Sequence, residues 1–208
     1  MAKNLGQQIQ QGCEQLDLTL TADQISRLQT YIELLDKWNK VYNLTSVRDP
    51  NEMVSRHLLD SLTILPYLKG DSLLDVGTGA GLPGIPIAII HPEIAVTLLD
   101  TNSKKTRFLQ QVKAELRLDN VTVVHARVEE AKLPKFAMVT ARAFATIKDI
   151  IDLTGQHCDD AGCLLLMKGV RPDEELGAMS GGFKLQDVVT LNVPGCEGQR
   201  HLVRLVKE

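Results

Sequence analysis

The chain has 208 residues, of which 44% are hydrophobic and 24% are charged, with a formal net charge of −3. This balance is typical of one globular domain and excludes a dispersed array of small domains. Its four cysteines form no C-x-x-C pair, so we expect reduced thiols, no metal site and a cytoplasmic protein. No segment has the roughly 20 apolar residues of a membrane span, and residues 1–11 lack the apolar core of a signal peptide.

Two helical segments are predicted before residue 70. From residue 21 to residue 42 apolar side chains recur at helical spacing, and Thr21 with Gln24 resembles a capping box. A second helical pattern covers residues 53–68. The sequence therefore predicts a helical N-terminal extension, residues 1–70.

After residue 70, short apolar runs alternate with longer amphipathic ones, which is typical of β-α-β units around a parallel sheet. Parallel strands are predicted at residues 72–76, 96–100, 121–126, 137–141 and 163–168. Helices are predicted at residues 83–90, 103–118, 147–156 and 172–178. Two further strands, 188–193 and 201–206, are predicted to form an antiparallel hairpin. The predicted fold class is α/β, a Rossmann-like and mostly parallel sheet that forms one compact unit over residues 71–208.

The most informative segment joins the first predicted strand to the next helix, and residues 74–84 read LDVGTGAGLPG. Glycines at this junction permit a tight turn and let backbone amides approach a ligand. Gly79, Gly81 and Gly84 fit the G-x-G-x-x-G pattern of a dinucleotide site. Asp75 would repel a pyrophosphate, however, and would suit the ammonium and sulfonium charges of S-adenosylmethionine. The charge argument favours S-adenosylmethionine over a nicotinamide dinucleotide.

Asp100 ends the second predicted strand, where a carboxylate accepts hydrogen bonds from ribose hydroxyls of either cofactor. A short-chain dehydrogenase would need a tyrosine and a lysine after the glycine loop, but all three tyrosines precede it. The predicted hairpin and the D-x-G-x-G-x-G pattern of residues 75–81 resemble class I methyltransferases. We therefore expect S-adenosylmethionine as the cofactor.

The segment after the fourth predicted strand, TARAFA at residues 140–145, usually carries the acceptor chemistry in such enzymes. The chain has no Pro-Pro pair, which exocyclic amine methyltransferases use there, and no cysteine follows a proline as in cytosine C5 methyltransferases. What remains is an acceptor atom that is already nucleophilic at neutral pH, such as guanine N7. Such a reaction depends on positioning, so no acid or base residue is predicted.

Four segments resemble the bacterial ribosomal RNA small-subunit methyltransferase G family, also called glucose-inhibited division protein B. They are WNKVYNLTSVRDP at 38–50, RHLLDSL at 56–62, the glycine loop at 75–86 and RAFA at 142–145. The resemblance implies a class I methyltransferase that methylates N7 of one guanosine in 16S ribosomal RNA near the decoding region. The implied donor is S-adenosylmethionine, and the implied partner is 16S RNA or a small-subunit assembly particle in the cytoplasm. No membrane and no obligate protein partner are implied.

The cofactor site combines residues carried over from the family with residues from the glycine-loop argument. The resemblance implies a role for Glu129 at the adenine amino group, with Val128 beside it, and makes Arg142 a candidate for positioning the acceptor. The full set is Gly77, Gly79, Leu82, Asp100, Val128, Glu129 and Arg142.

Residues 101–148 carry ten basic and four acidic side chains, an excess that favours a polyanionic partner. The candidate substrate-binding residues are Arg48, Arg56, His57, Lys104, Lys105 and Lys168. A surface ion pair is the alternative for the arginines, and a helix-surface pair with Asp60 is the alternative for His57. A methyltransferase for a small molecule or a protein, or a non-catalytic RNA-binding module, remains the alternative function.

Overall fold

In the residues that the computed structural model describes, 4–142, 145–177, 179 and 181–208, seven strands form one sheet. These strands are β1 (Ser72–Val76), β2 (Ala95–Asp100), β3 (Val121–His125), β4 (Phe136–Arg142), β5 (Cys158–Lys168), β6 (Phe183–Thr190) and β7 (His201–Lys207). Their order is β3-β2-β1-β4-β5-β7-β6. β1 to β5 are parallel, whereas β7 is antiparallel to β5 and β6. The predicted fold class, including the antiparallel C-terminal hairpin, is confirmed.

The parallel strands are apolar because helices cover both faces of this part of the sheet. Leu73, Leu74 and Val76 of β1 are all buried, although consecutive side chains point to opposite faces. The carboxyl ends of β1, β2 and β4 lie along one edge of the sheet. In open α/β sheets this edge is where ligands bind.

Eight α-helices surround the sheet in the described residues. They are α1 (Leu5–Glu14), α2 (Ala22–Tyr42), α3 (Pro50–Met53), α4 (Asp60–Leu62), α5 (Gly84–Ile90), α6 (Ser103–Glu115), α7 (Ile147–Thr154) and α8 (Asp173–Gly177). Two 3-10 turns lie at Leu65–Tyr67 and Gly155–His157. Ala178, at the end of the predicted helix 172–178, lies outside the described residues, as do Ala143 and Phe144 of the acceptor segment. No helix in the described part of the chain has both the length and the apolarity needed to cross a membrane.

Helix α2 agrees with its prediction, while α1 was not predicted. The Thr21 side chain accepts a hydrogen bond from the Gln24 backbone, and the Gln24 side chain accepts one from the Thr21 backbone, so the capping box is confirmed. In α1, Ile9 and Cys13 are buried one turn apart. Glutamines fill four of its other eight positions and obscure this short apolar face in the sequence.

The prediction of one continuous helix over residues 53–68 is wrong, because several short helical segments cover this region. Asp49 caps α3, with Pro50 as its first residue, and a π-helical stretch at Val54–Leu59 links α3 to α4. The helical hydrogen bonding ends after Leu62, ahead of a 3-10 turn that contains Pro66. Proline lacks the backbone N–H that a longer helix would need.

The helices before residue 71 and one face of the sheet share a hydrophobic core. The Tyr31 ring of α2 lies 6.4 Å from the ring of Phe108 in α6. The Tyr31 hydroxyl donates to the carbonyl oxygen of Ala80 at 2.8 Å. The N-terminal helices are therefore packed directly against the helix and loop that follow the first two strands.

Candidate active site

A cavity of about 600 Å³ opens beside the glycine loop at the carboxyl ends of β1 and β2. We call it the loop cavity. Five of the predicted cofactor residues line it: Gly77, Asp100, Val128, Glu129 and Arg142. Residues far apart in the sequence thus meet at the carboxyl ends of the parallel strands, where open α/β sheets bind their ligands.

A second cavity, of about 400 Å³, lies between the N-terminal helices and the C-terminal hairpin, and we call it the arginine cavity. Three predicted substrate residues line it, namely Arg56, His57 and Lys168. Asp60 and Arg200 are among its lining residues that the predicted site lacks. Arg142 lines both cavities. The two cavities therefore adjoin at the end of β4.

Three glycines of the glycine loop, Gly77, Gly79 and Gly81, have left-handed backbone. Gly77 and Gly79 have φ angles of 65° and 62°, a region that glycine adopts without the steric cost of a Cβ atom. Gly77 lines the loop cavity, whereas the Gly79 amide donates to Asp100 at 2.9 Å. Leu82 is buried outside the cavity lining. Gly79 and Leu82 are thus outside the cavity lining, and their predicted contact with the cofactor stays a prediction.

Asp75 lies under the loop and does not line the loop cavity. One of its carboxylate oxygens accepts hydrogen bonds from the Thr78 hydroxyl at 2.7 Å and from the Gly84 amide at 2.9 Å. Burial raises the pKa of this carboxyl to about 6. Asp75 therefore organises the turn from a buried position outside the cavity lining, and its role as a partner of the cofactor's positive charges stays a prediction.

Asp100 connects the end of β2 to the glycine loop and to α6. One carboxylate oxygen accepts from the Asn102 amide at 2.9 Å, and the other accepts from the Gly79 amide. Lys105 Nζ lies 3.5 Å from the second oxygen and lines the loop cavity. Lys105 therefore lies at the predicted cofactor site and not in the arginine cavity, and its contact with the substrate stays a prediction.

Val128 and Glu129 follow β3 and form the far wall of the loop cavity. The buried Val128 accepts a hydrogen bond on its carbonyl oxygen from His157 Nε2 at 3.2 Å. Glu129 is paired with Arg127 at 3.3 Å. Its own backbone N–H and Arg127 hold the pKa of the Glu129 carboxyl below its usual range, so this wall presents a carboxylate at neutral pH.

In the arginine cavity, Asp60 pairs with two arginines. One carboxylate oxygen lies 3.2 Å from Arg142 Nη1, and the other lies 3.1 Å from Arg200 Nε. Sequence reasoning placed Asp60 with His57, either in a helix-surface pair or in the acceptor pocket, and did not find Arg200. The RHLLDSL segment is a signal for Asp60, whereas Arg200 lies between β6 and β7 in a segment without a recognisable motif.

His57 is a neutral wall of the arginine cavity. Its Nδ1 lies 3.0 Å from the Arg56 carbonyl oxygen, and its Nε2 lies 2.7 Å from the Thr45 hydroxyl. A carbonyl oxygen can only accept, so we assign the proton to Nδ1 and let the Thr45 hydroxyl donate to Nε2. Burial, together with the charge of Arg142, lowers the pKa of His57 to about 4. The alternative of a helix-surface pair with Asp60 is wrong, since Asp60 binds the arginines.

Arg48 and Lys104 line neither cavity. The Arg48 guanidinium donates to the Asn39 carbonyl oxygen at 3.2 Å and to Asn43 Oδ1 at 2.7 Å, so it holds the turn after α2. Lys104 is exposed in the first turn of α6, directly before the cavity-lining Lys105. These two predicted substrate residues lie outside both cavities, whereas each of the other four lines one of them.

Arg56 and Lys168 line the arginine cavity but have partners of their own. Arg56 pairs with Glu52 at 3.3 Å, and its side chain is 51% exposed. Lys168 Nζ donates to the Ala145 carbonyl oxygen and to Glu175 Oε2, both at 2.8 Å. Arg56 is therefore the more accessible of these two cations.

The titrations of His57 and Asp75 give opposite pH dependences of the free energy of unfolding. The pKa of His57 in the folded protein is about 4, below the ordinary 6.5, so its contribution is lost as the pH falls from 6.5 towards 4. The pKa of Asp75 is about 6, above the ordinary 3.8, so its contribution is lost as the pH rises from 3.8 to 6. Asp75→Asn removes only the second effect.

We therefore expect the free energy of unfolding of Asp75→Asn to rise more steeply between about pH 4 and pH 6 than that of the wild type. Urea unfolding at several pH values measures this slope. The matched variant His57→Gln is expected to show the opposite change. Parallel curves for wild type and Asp75→Asn would contradict the raised pKa of Asp75.

Comparison with known proteins gives the same family over most of the chain. The model of the family described as rRNA small subunit methyltransferase G matches residues 24–203. The protein named ribosomal RNA small subunit methyltransferase G from Pseudomonas entomophila (strain L48) is 50% identical over 202 residues, which cover 96% of this chain and 94% of that protein. The protein of the same name from Pseudomonas aeruginosa (strain LESB58) is 51% identical over 200 residues, covering 95% and 94%.

Known structures resemble the fold at much lower identity. A glycopeptide N-methyltransferase complexed with S-adenosyl-L-methionine superposes with a TM-score of 0.63 at 13% identity, covering 73% of this chain and 87% of that one. A precorrin-6y C5,15-methyltransferase from Geobacter metallireducens GS-15 gives a TM-score of 0.54 at 18% identity, covering 71% and 87%. These structures support the class I methyltransferase fold. The family model and the close relatives show more, namely that the chain belongs to the rRNA small subunit methyltransferase G family.

Proposed function

We propose that this enzyme transfers a methyl group from S-adenosylmethionine to N7 of one guanosine in 16S ribosomal RNA. The observation that carries the proposal is the meeting of the loop cavity and the arginine cavity at Arg142. A group-transfer enzyme needs two ligands held side by side, and orientation of this kind supplies a large part of the rate.

The residues of the loop cavity fit the donor. A volume of about 600 Å³ lies within the range of cofactor pockets. Gly77 gives a ligand close access to backbone, Asp100 retains acceptor capacity for ribose hydroxyls, and Glu129 can accept from an adenine amino group. When bound, S-adenosylmethionine supplies an electrophilic methyl group on a sulfonium.

The arginine cavity suits an extruded base. Its volume is about 400 Å³, and it is lined by cations and by the neutral His57. Guanine presents N7 and O6 as neighbouring acceptors. Because the N7 lone pair carries no proton, the cavity has only to hold the base in place. This agrees with the sequence argument that no acid or base residue is required.

We also propose how the two parts of the chain share the work. The helical extension, residues 1–70, contributes Arg56 and His57 to the acceptor side, while residues 71–208 hold the donor. Their common core supports folding as one unit. The proposed partner is 16S RNA or a small-subunit assembly particle in the cytoplasm, approached through exposed cations such as Arg56.

The test is to incubate the protein with labelled S-adenosylmethionine and one acceptor at a time. The acceptors are unmethylated 30S subunits, free 16S RNA and a metabolite pool. N7-methylguanosine makes the RNA strand labile to reduction followed by aniline, so cleavage mapping gives its position. We expect one cleavage site in 16S RNA. A methyl group found on an exocyclic nitrogen, a ribose, a protein or a metabolite would contradict the proposal.

A further inference from the structure

The Asp60 carboxylate joins three segments of the arginine cavity that are distant in the sequence. Asp60 lies in α4, Arg142 ends β4, and Arg200 lies just before β7. Asp60 is only 3% exposed, and each of its oxygens contacts one guanidinium. The two ion pairs span 82 and 140 residues of the chain. One buried carboxylate thus fixes the relative positions of both arginines.

The two arginines keep donors for another acceptor. A guanidinium has five N–H groups. Among the described residues, Arg142 uses one of them on Asp60. Arg200 donates to Asp60, to the Gln199 carbonyl oxygen at 2.8 Å and to Cys196 Sγ at 3.6 Å. Both side chains line the arginine cavity, so no contact within the described ranges occupies their remaining N–H groups there.

The positive charges of Arg142 and Arg200 make their close approach dependent on the Asp60 carboxylate. Two guanidinium groups that converge on one point repel each other unless an anion lies between them. Asp60 supplies that anion, and in return the arginines satisfy a carboxylate that is costly to bury alone. Removing the carboxylate charge leaves Arg142 free to move away from the boundary between the two cavities.

We propose that Asp60 is a positioning residue that holds Arg142 and Arg200 as paired hydrogen-bond donors to O6 of the acceptor guanine. This inference rests on the proposed function. A donor pair at O6 selects guanine, because adenine carries an amino group, itself a donor, at the same place. The contact leaves the neighbouring N7 lone pair free to receive the methyl group.

The first measurement is steady-state methylation of unmethylated 30S subunits by Asp60→Asn, Arg200→Gln and the double variant. Asn keeps the size of Asp60 but removes its charge. We expect kcat to fall by about 100-fold in Asp60→Asn, the size of effect that follows misplacement of a positioning group, with little change in the Kd for S-adenosylmethionine. The double variant should be hardly worse than Asp60→Asn, because the residues act as one unit. Arg200→Gln, which leaves the carboxylate paired with Arg142, also tests the proposal if Asp60→Asn does not fold.

Asp187→Asn is the matched control. Asp187 pairs with Arg204 in the same C-terminal hairpin, and both residues lie outside the loop cavity and the arginine cavity. This variant is expected to lower the melting temperature and to keep the wild-type kcat. An equal loss of kcat in Asp187→Asn would reduce Asp60 to a general stabilising role and overturn the proposal.

The second measurement removes O6 itself. The target guanosine is replaced by 2-aminopurine riboside, which keeps N7 and lacks O6, in a reconstituted 30S particle. The wild type should lose rate on this particle, whereas Asp60→Asn should lose little more than it has already lost. If Asp60→Asn and the removal of O6 each lowered the rate independently, so that the two losses multiplied, the contact to O6 would be overturned. If the wild type forms no N7-methylguanosine on normal particles, the proposed function itself fails; wild-type activity with full activity in Asp60→Asn overturns only the role of Asp60.

Discussion

Asp100→Ala is expected to lower the affinity for S-adenosylmethionine by about 10- to 150-fold. A hydrogen bond to a charged group contributes about 1.5 to 3 kcal/mol, which corresponds to this range in Kd. The same carboxylate also accepts from the Gly79 and Asn102 amides, so its loss loosens the loop as well. Calorimetric titration of the folded variant with S-adenosylmethionine measures the change directly.

Lys105→Met separates the carboxylate from its ion pair. Lys105 lies 3.5 Å from Asp100 and is 32% exposed, and pairs that reach solvent contribute about 1 kcal/mol or less. We therefore expect a loss of affinity of about fivefold or less in this variant. Unchanged affinity in Asp100→Ala, or binding of NAD in place of S-adenosylmethionine, would contradict the assignment of the loop cavity.

The central strands could be predicted because burial on both faces leaves a simple apolar signal, as in β1. Strand β5 begins at Cys158, while the predicted strand begins at residue 163. Residues 158–162 read CDDAG, a composition with low strand propensity. They are extended because the neighbouring strand β4 starts at Phe136, which pairs with Cys158 across a register shift. Tertiary pairing of this kind leaves no local pattern.

The loop cavity could be largely predicted, since the glycine loop and Asp100 occupy fixed places relative to strands. The sequence does not show which of Lys104 and Lys105 reaches the cavity. Successive side chains on a helix differ by about 100° in direction, so Lys105 reaches the cavity while Lys104 remains exposed. The choice between them depends on how α6 is rotated against the sheet, which the spacing of its charges does not reveal.

The arginine cavity could be predicted only in part. The segment RHLLDSL indicated a functional region around His57, but the pairing of Asp60 with Arg200 joins residues 140 positions apart. Nor does helical spacing distinguish the π-helical stretch Val54–Leu59 from an α-helix over so few residues. That stretch changes the angular relation between Met53 and Asp60, and it therefore affects which side chains reach the cavity.

Arg142→Met is expected to lower kcat by about 100-fold while RNA affinity changes little. Met keeps most of the length of the side chain and removes the guanidinium that borders both cavities. Its loss leaves the buried Asp60 paired with Arg200 alone and removes one of the two donors proposed for the acceptor base. Misplacement of the base by about 1 Å is enough for a loss of this size. Arg142→Lys should recover only part of the rate, because an ammonium lacks the planar fork of donors.

Arg56→Ala should change KM and leave kcat nearly unchanged, which is the opposite of the effect expected for Arg142→Met. Arg56 is half exposed at the rim of the arginine cavity, and the phosphate contact proposed for it would make binding depend on salt. A single-stranded phosphate contact contributes about −0.7 to the log–log slope of affinity against salt concentration. We therefore expect Arg56→Ala to raise KM for the 30S particle and to flatten that slope, and Arg142→Met to leave the slope unchanged. If Arg142→Met flattened the slope and kept the wild-type kcat at saturating particle, Arg142 would be a phosphate contact, and the two cavities would not form one methyl-transfer site around it.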